Sequence, residues 1–449
     1  MFSDLKKIWA VVALSLGCVW ADFSASGSCV DGEMIASVRY EGLEHTNSHV
    51  VDRELLHKVG SVFSKKDFEI EKLHLQDLDL FTEISVGCEP VSQEFSSTSD
   101  SVNLKTDKSG VNLVYHFKEI FRWIPAPAGK TTDRDGLMLG LALANLNVAG
   151  EDVRAEVQYR TAVDPFFKNN EYALYMSSPY MFGLPLGWNF EFLRTDSYDD
   201  IRDFQDDSWL VDLDLDYTVM LHFSLLVSGA YRYLNFDDGR VLPEFGFGFA
   251  FDFRDSKLDS RKGVYYEYML THVGMDEEDY WEYLTDARAY VSANRFVTGA
   301  TALVRYRPGD VERYDQFFHG GTNTFRGRGG THLKDISGDE SDSLRLGVHE
   351  ALLTLEERFV LMERHAASVL GVNFFYGIQL VAGLDGSLLW DEGAPGWDDY
   401  EGAVYGGIHL VIPALDRIRF EVGYSPDKGE PEFFFGLFDK TTTARWRGR

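Results

Sequence analysis

Between Phe121 and Phe438 apolar and polar or small residues alternate in short runs, separated by clusters rich in glycine, asparagine, aspartate and proline. Period-two alternation predicts strands. Sixteen are expected: Phe121–Ala126, Gly136–Val148, Glu151–Ala162, Glu171–Ser178, Leu186–Thr195, Ser208–Tyr217, Met220–Leu234, Val241–Arg254, Gly263–Val273, Trp281–Ser292, Arg295–Arg307, Ser343–Phe359, Ala366–Val381, Glu401–Ile412, Asp416–Tyr424 and Glu432–Phe438. Leu137, Leu139, Leu141 and Leu143 make one face of their strand large and oily, while Met138, Gly140, Ala142 and Ala144 make the other smaller. One face suits lipid and the other a lumen. The connections fall into two classes. Ala149-Gly150, Thr218-Val219, Ala293-Asn294 and Pro413-Ala414-Leu415 are tight, whereas Asp196–Asp207, Pro308–Asp342 and Ala382–Tyr400 are long. Short turns at one rim and long loops at the other suit a transmembrane barrel; a soluble β-sandwich gives no reason for the alternation.

The chain before this region has mixed periodicity. Ile35–Tyr40 alternates, and Thr46, Asn47 or Ser48 can cap a helix carrying Val51, Leu55 and Val59, which Gly60 ends. Ser64 with Asp67 opens a second helix in near capping-box fashion, with Phe68, Leu75 and Leu78 on one face. Ile84 and Val86 alternate in one strand, and Val111, Leu113, Tyr115 and Phe117 in another. The fold class predicted is an all-β transmembrane barrel of about 16 antiparallel strands (121–438) preceded by a small α+β domain (34–119).

Composition narrows the setting. Lys6 and Lys7 precede an apolar run from Ile8 to Trp20, and Val19 with Ala21 fit a cleavage site, so residues 1–21 read as a secretory signal. Past it no apolar stretch approaches the roughly 18 residues of a membrane helix. Aromatics at 14% with 12 prolines suit many strands and interfacial girdles. The formal charge of −29 excludes a nucleic-acid binder, which needs a basic surface for phosphates. Much of the acid is expected in loops. Asp196–Asp207 holds six aspartates against one arginine, as a solvated loop or one contacting divalent cations and lipopolysaccharide. Of three cysteines, Cys18 leaves with the signal; Cys29 and Cys88 remain in an exported chain, free or as one disulfide.

The stretch Phe317–Gly330, FFHGGTNTFRGRGG, places two arginines in a glycine-dense loop. Gly320, Gly321, Gly327, Gly329 and Gly330 allow tight reversal, and Arg326 in a confined space requires carboxylates opposite it. Upstream stands FDFRDSKLDSRKG (Phe251–Gly263) and downstream LEERF (Leu355–Phe359). In this order the three segments resemble the BamA-like superfamily of outer-membrane assembly and polypeptide-secretion proteins. Its D-x-R-D motif matches Asp252, Arg254 and Asp255; its R-G motif matches Arg326 and Gly327; its E-x-R strand matches Glu356 and Arg358. The aromatic that follows R-G in the family is Arg328 here. VRYEGLEHT, KVGSVFSKKDFE and LDLFTEISV, in series over 34–119, resemble one polypeptide-transport-associated (POTRA) domain.

The resemblance implies an outer-membrane barrel with its N-terminal domain in the periplasm. Partners would be outer-membrane lipid and lipopolysaccharide, unfolded clients and accessory assembly proteins. The POTRA-like domain would receive clients by strand addition or serve as a spacer orienting the barrel. Arg326 would pair inside the lumen, with Glu356 as the first candidate and Asp385, in GLDGSLLW, as the second. Between the first and last strands a weak seam is expected. FRWIPA brings Ile124 and Pro125, with Pro127 beyond, and EFFFGLF brings Phe435, Gly436 and Phe438; proline cannot donate to a ladder. Terminal strands that are merely short and irregular would look the same. The tail, residues 439–449, leaves the terminal aromatic signal internal. Neither a catalytic triad, nor a nucleotide loop, nor metal-ligand spacing stands out, so no enzyme, cofactor or metal is expected, and His319 is a hydrogen-bonded or proton-sensitive loop residue. The expected function is insertion or assembly of client polypeptides at the outer membrane. Two-partner secretion of an exoprotein and a passive or structural pore are the alternatives.

Overall fold

The computed structural model describes residues 29–91, 110–132, 135–165, 168–199, 204–235, 239–256, 259–275, 278–328, 346–369, 372–412 and 417–437. The expected signal 1–21, Cys18, Gly329, Gly330, Phe438 and the tail 439–449 lie outside the described residues.

The N-terminal unit is a three-stranded sheet of β1 (Met34–Glu41), β2 (Phe81–Pro90) and β3 (Gly110–Glu119). Central β3 runs parallel to β1 and antiparallel to β2. Helices α1 (Ser48–Asp52) and α2 (Lys65–Asp77) bury Val50, Val51, Phe68 and Leu75 in one core with Ile35, Leu113, Tyr115 and Phe117. Ser64 caps α2, its side chain accepting from the Asp67 N–H. The first helix is shorter than its periodicity predicts, leaving Val59 exposed. The chain is drawn out of helix because the His57 N–H is donated to buried Glu71 (2.5 Å) and the Gly60 N–H to the Ile35 carbonyl (2.8 Å). Glu71 also accepts from His57 Nδ1 (2.8 Å) and from the Tyr115 hydroxyl (2.8 Å). Since the Ser64 N–H donates to His57 Nε2 (3.0 Å), the ring proton sits on Nδ1. Burial raises the Glu71 carboxyl, but the His57 and Tyr115 hydrogen bonds outweigh it and hold the group below its ordinary value. A Cys29–Cys88 disulfide, Cα atoms 5.0 Å apart, ties the segment before β1 to β2.

The second unit is a closed barrel of sixteen strands. They are β4 (Trp123–Thr132), β5 (Gly136–Val148), β6 (Val153–Ala162), β7 (Asn169–Ser178), β8 (Leu186–Asp199), β9 (Phe204–Met220), β10 (Phe223–Leu234), β11 (Arg240–Asp252), β12 (Gly263–Met275), β13 (Glu278–Ala293), β14 (Phe296–Tyr306), β15 (His349–Val369), β16 (Val372–Trp390), β17 (Tyr400–Val411), β18 (Ile418–Tyr424) and β19 (Pro431–Leu437). Leu137, Leu139, Leu141 and Leu143 point outward, while Met138, Ala142 and Ala144 are buried inward.

Several expectations about strand ends are corrected, among them the connection expected at Ala382–Tyr400, where β16 continues to Trp390. Asp196–Asp207 is not a free loop: β8 and β9 continue their ladder through Asp196↔Asp207 to Asp199↔Phe204, and Asp207 pairs with Arg194. Likewise β15 does not stop at Phe359. It runs with β16 to Val369↔Val372, because Leu361–His365 belong to a hairpin extension with register shifts and not to a turn. That extension reaches the N-terminal unit, where Phe375 joins the core and Asn373 donates to the Glu119 carbonyl (3.3 Å).

Other short connections also meet the N-terminal unit. The Asn47 N–H donates to the Gly150 carbonyl (3.0 Å), and its side-chain amide, which does not cap α1, is bonded to Glu151 (2.7 Å). Arg53 pairs with Asp152 (2.7 Å), and Ser256 donates to Asp77 (2.7 Å). Asp79, buried with φ 56°, lies between Arg154 of β6 (3.5 Å) and Arg364 of β15 (3.6 Å). The unit is thereby fixed to the rim of short turns at several points.

Candidate functional site: a loop anchored in the lumen beside the seam

The long connection after β14 turns back into the barrel. Asp315 is held by Arg232 (2.8 Å) and Tyr280, and the Arg307 guanidinium lies 3.8 Å from the Phe317 ring centre. His319, buried, bridges Ser387 (2.5 Å) and Glu350 (2.5 Å), so both ring nitrogens are engaged. Arg326 then reaches the wall formed by β15–β18. Its Nε and Nη2 donate to the two oxygens of Asp385 (2.7 Å each), and its backbone N–H donates to the same carboxylate (3.1 Å). Nη1 donates to Glu421 of β18 (3.0 Å). The guanidinium lies over the Tyr405 ring, 3.4 Å from its centre. This is a bidentate, charge-assisted pair in a buried place.

Asp385 is therefore the principal partner, and Glu356, the expected first choice, is secondary. Glu356 lies 3.8 Å from Arg326 with no hydrogen bond to it, and it accepts instead from the Tyr405 hydroxyl (2.9 Å). It also stands 3.5 Å from Arg358 and 3.9 Å from Arg417, which connects the loop's ion cluster to a second one. There Asp259, buried, accepts from Arg358 (3.2 Å), Arg417 (3.0 Å) and Gln379 (3.1 Å). Arg358 also donates to the Ser260 carbonyl (2.6 Å), so the turn between β11 and β12 is pulled onto the same wall. The D-x-R-D residues shape that turn. Arg254 forks onto Asp252 (2.8 Å twice), and Asp255 accepts from the N–H groups of Arg261 (2.9 Å) and Lys262 (3.0 Å).

Glycines set the close approaches. A Cβ on Gly423 would lie 1.7 Å from the Arg326 carbonyl oxygen, and one on Gly327 would meet the Phe325 ring at 2.4 Å. Gly321 needs its φ of 93°, and Gly320 donates its N–H to Thr324 (3.1 Å). Arg328, where the family pattern has an aromatic, pairs with Glu401 (2.5 Å), while Phe325 supplies the fully buried ring.

Glu421, Asp259, Tyr405 and Gly423 were not expected from sequence. Alternation carried a signal for two of them: Phe420, Val422 and Tyr424 face out, which puts Glu421 and Gly423 inward. Glu356, His409 and Glu421 lie close enough to share a cation, but His409 Nε2 and Arg326 Nη1 both bond Glu421 (2.9 and 3.0 Å), so the guanidinium already supplies the positive charge.

The seam differs from its expected form. Among the described residues β19 pairs with β4 only at Gly436↔Lys130 and Leu437↔Gly129. Ile124 and Pro125 do not face β19 there; their register partners are Ala144 and Leu143 of β5. The meeting point lies further along β4 because β4 continues to Thr132 rather than ending at Ala126. Phe435, next to Gly436, donates its N–H to the Thr131 hydroxyl (3.0 Å) and makes no ladder pair with β4.

The Omp85 superfamily domain matches residues 145–428. No curated protein sequence matches the chain. Among solved structures, CdiB from Escherichia coli is 15% identical, with 90% of this chain and 76% of that one covered and a TM-score of 0.56. CdiB from Acinetobacter baumannii is 12% identical, with 90% and 73% covered and a TM-score of 0.53. BamA from Haemophilus ducreyi lacking POTRA domains 1–3 is 14% identical, with 90% and 83% covered and a TM-score of 0.52. At such identities the likeness is one of fold. The family match spans well over half of the chain and the barrel closes with the sixteen strands its sequence predicts, so this protein belongs to the Omp85 superfamily and is an outer-membrane β-barrel.

Proposed function

We propose that the protein inserts or translocates client polypeptides at the outer membrane, and that clients pass to lipid through the seam between β4 and β19. The observation that carries this reading is the contrast in pairing: among the described residues two register pairs join β4 to β19, whereas β15 and β16 pair from His349↔Trp390 to Val369↔Val372. Backbone hydrogen bonds are the only polar partners a strand has in hydrocarbon, so a barrel opens where fewest must be exchanged. Exposed edge groups then template an incoming strand. The lumen is a poorer route, since Arg326, His319 and Asp259 bond loops to its wall.

In this reading residues 34–119 are a periplasmic POTRA-like unit that receives unfolded clients by strand addition at a sheet edge. The surrounding partners are outer-membrane lipid, lipopolysaccharide and accessory assembly proteins, and the action is mechanical rather than enzymatic. The test is a reversible lock. Cysteines replacing Lys130 and Gly436, which are register partners, are oxidised in proteoliposomes, and the folding of an added unfolded β-barrel client is followed. Insertion should stop on oxidation and return on reduction. Unchanged insertion by the oxidised protein rejects the seam, and a client delivered across the bilayer by the locked barrel points to secretion through the lumen.

A further inference from the structure

The loop that carries Arg326 does more than fill the lumen, because its tip occupies the backbone groups that β4 and β19 leave free. One step beyond Lys130↔Gly436 the two strands part: the Phe435 N–H meets the Thr131 side chain instead of a carbonyl. Into this gap comes Thr322, buried at 2% exposure. Its N–H donates to the Thr131 carbonyl (3.3 Å), and its hydroxyl donates to the Phe435 carbonyl (3.1 Å), with the Thr131 carbonyl a longer alternative (3.4 Å). Gly321 adds a bridge to Thr132. From β18, Arg419 holds the tip in place through the Thr322 carbonyl (3.2 Å) and Asn323 (2.5 Å).

We propose that Gly321–Asn323 is a bolt across the seam, seated by the Arg326 anchor, and that a client strand and this bolt compete for the same backbone groups of β4 and β19. The proposal rests on the seam reading above and supplies its control. Thr322 stands four residues from Arg326, whose guanidinium is fixed to Asp385 and Glu421, so the anchor tethers the tip within about 14 Å of the wall. Docked, the bolt satisfies the Thr131 and Phe435 carbonyls; withdrawn, it leaves them unpaired and ready to accept a strand.

The test needs no client, so its outcome is separate from that of the insertion assay. Hydrogen exchange is measured on the full chain in lipid nanodiscs. Thr322→Val keeps the shape and loses the hydroxyl, and amides in 123–132 and 431–437 should exchange about fivefold faster, the factor expected for one lost hydrogen bond. Thr322→Ser, which keeps the donor, should match the wild type, and β10–β13 should not change in either. Asp385→Asn, which loosens the anchor, should accelerate the same two segments, and adding Thr322→Val to it should accelerate them no further. If Thr322→Val yields no folded barrel, Asp385→Asn against wild type decides the matter alone. Seam exchange at the wild-type rate, acceleration shared by Thr322→Ser, or multiplicative effects in the double variant would overturn the bolt.

Discussion

The wall of β15–β18 and the seam of β4 and β19 lie in one closed sheet, yet they are held by different means. On the wall, Asp385, Arg358, Gln379, His409 and Glu421 are buried inward and bonded to one another or to loops that enter the lumen. At the seam the ladder among the described residues covers Gly129 and Lys130, and a threonine from a loop bonds beside it. Strand pairing alone would make every junction alike. Buried ion pairs add little net stability compared with apolar packing, but removing one partner is costly, so they fix a unique arrangement on the wall side. Among the described residues, the seam keeps few ladder pairs to exchange. In the reading proposed above, one half of the barrel positions a loop and the loop controls a yielding junction.

The largest expected effect comes from breaking the wall at its centre. Arg326→Ala strands Asp385 and Glu421 without their cation, and the barrel should lose about 3–5 kcal/mol, read as a lower temperature for the gel-mobility shift of the heated protein. Gly423→Ala drives a methyl toward the Arg326 carbonyl and should cost about 1–3 kcal/mol by lifting the loop from β18. Neutralising single carboxylates should rank Asp385→Asn above Glu421→Gln above Glu356→Gln in the same assay, since the first accepts three bonds from Arg326, the second one and the third none. Equal losses from all three would show that the wall acts as diffuse charge and not as a specific socket.

These partners mark the boundary of what the sequence makes legible. Alternation located all sixteen barrel strands, because lipid and lumen impose opposite demands on successive side chains. The strand ends were less legible: β8 with β9 and β15 with β16 extend beyond the rim, where one face no longer meets lipid and Asp206 or Arg364 interrupts the pattern. The arginine loop was visible from its glycines, and Asp385 was among its candidate partners. Glu421 was not, because pairing across the lumen depends on which strands stand opposite the loop. Thr322 was invisible for a similar reason, since a threonine between glycine and asparagine carries no mark of a seam more than a hundred residues away in sequence.

Smaller effects concern the junction with the N-terminal unit. Asp79→Asn weakens attachment to Arg154 and Arg364 together, so spin labels at Glu69 and Arg295 should give a broader distance distribution while the barrel's heat resistance stays as in the wild type. Within that unit, Glu71 provides a pH dependence of known sign. Its folded pKa lies below the unfolded value of about 4.3, so its stabilisation is complete above that value and is lost as pH falls through the lower folded one. Pepsin cleavage within 34–119 should therefore accelerate as the pH falls below about 4, and Glu71→Gln should flatten the dependence.

The most direct test of the seam's role is to find where a client touches the barrel. A client stalled during insertion, carrying single cysteines along its last strand, is offered to variants with one cysteine at Lys130, at Gly436, at lipid-facing Phe247 or at lumenal Gln379. The account predicts disulfides at Lys130 and Gly436, in registers that advance with the client strand, and background levels at the other two. Adducts mainly at Gln379, or spread evenly over all four positions, would contradict it.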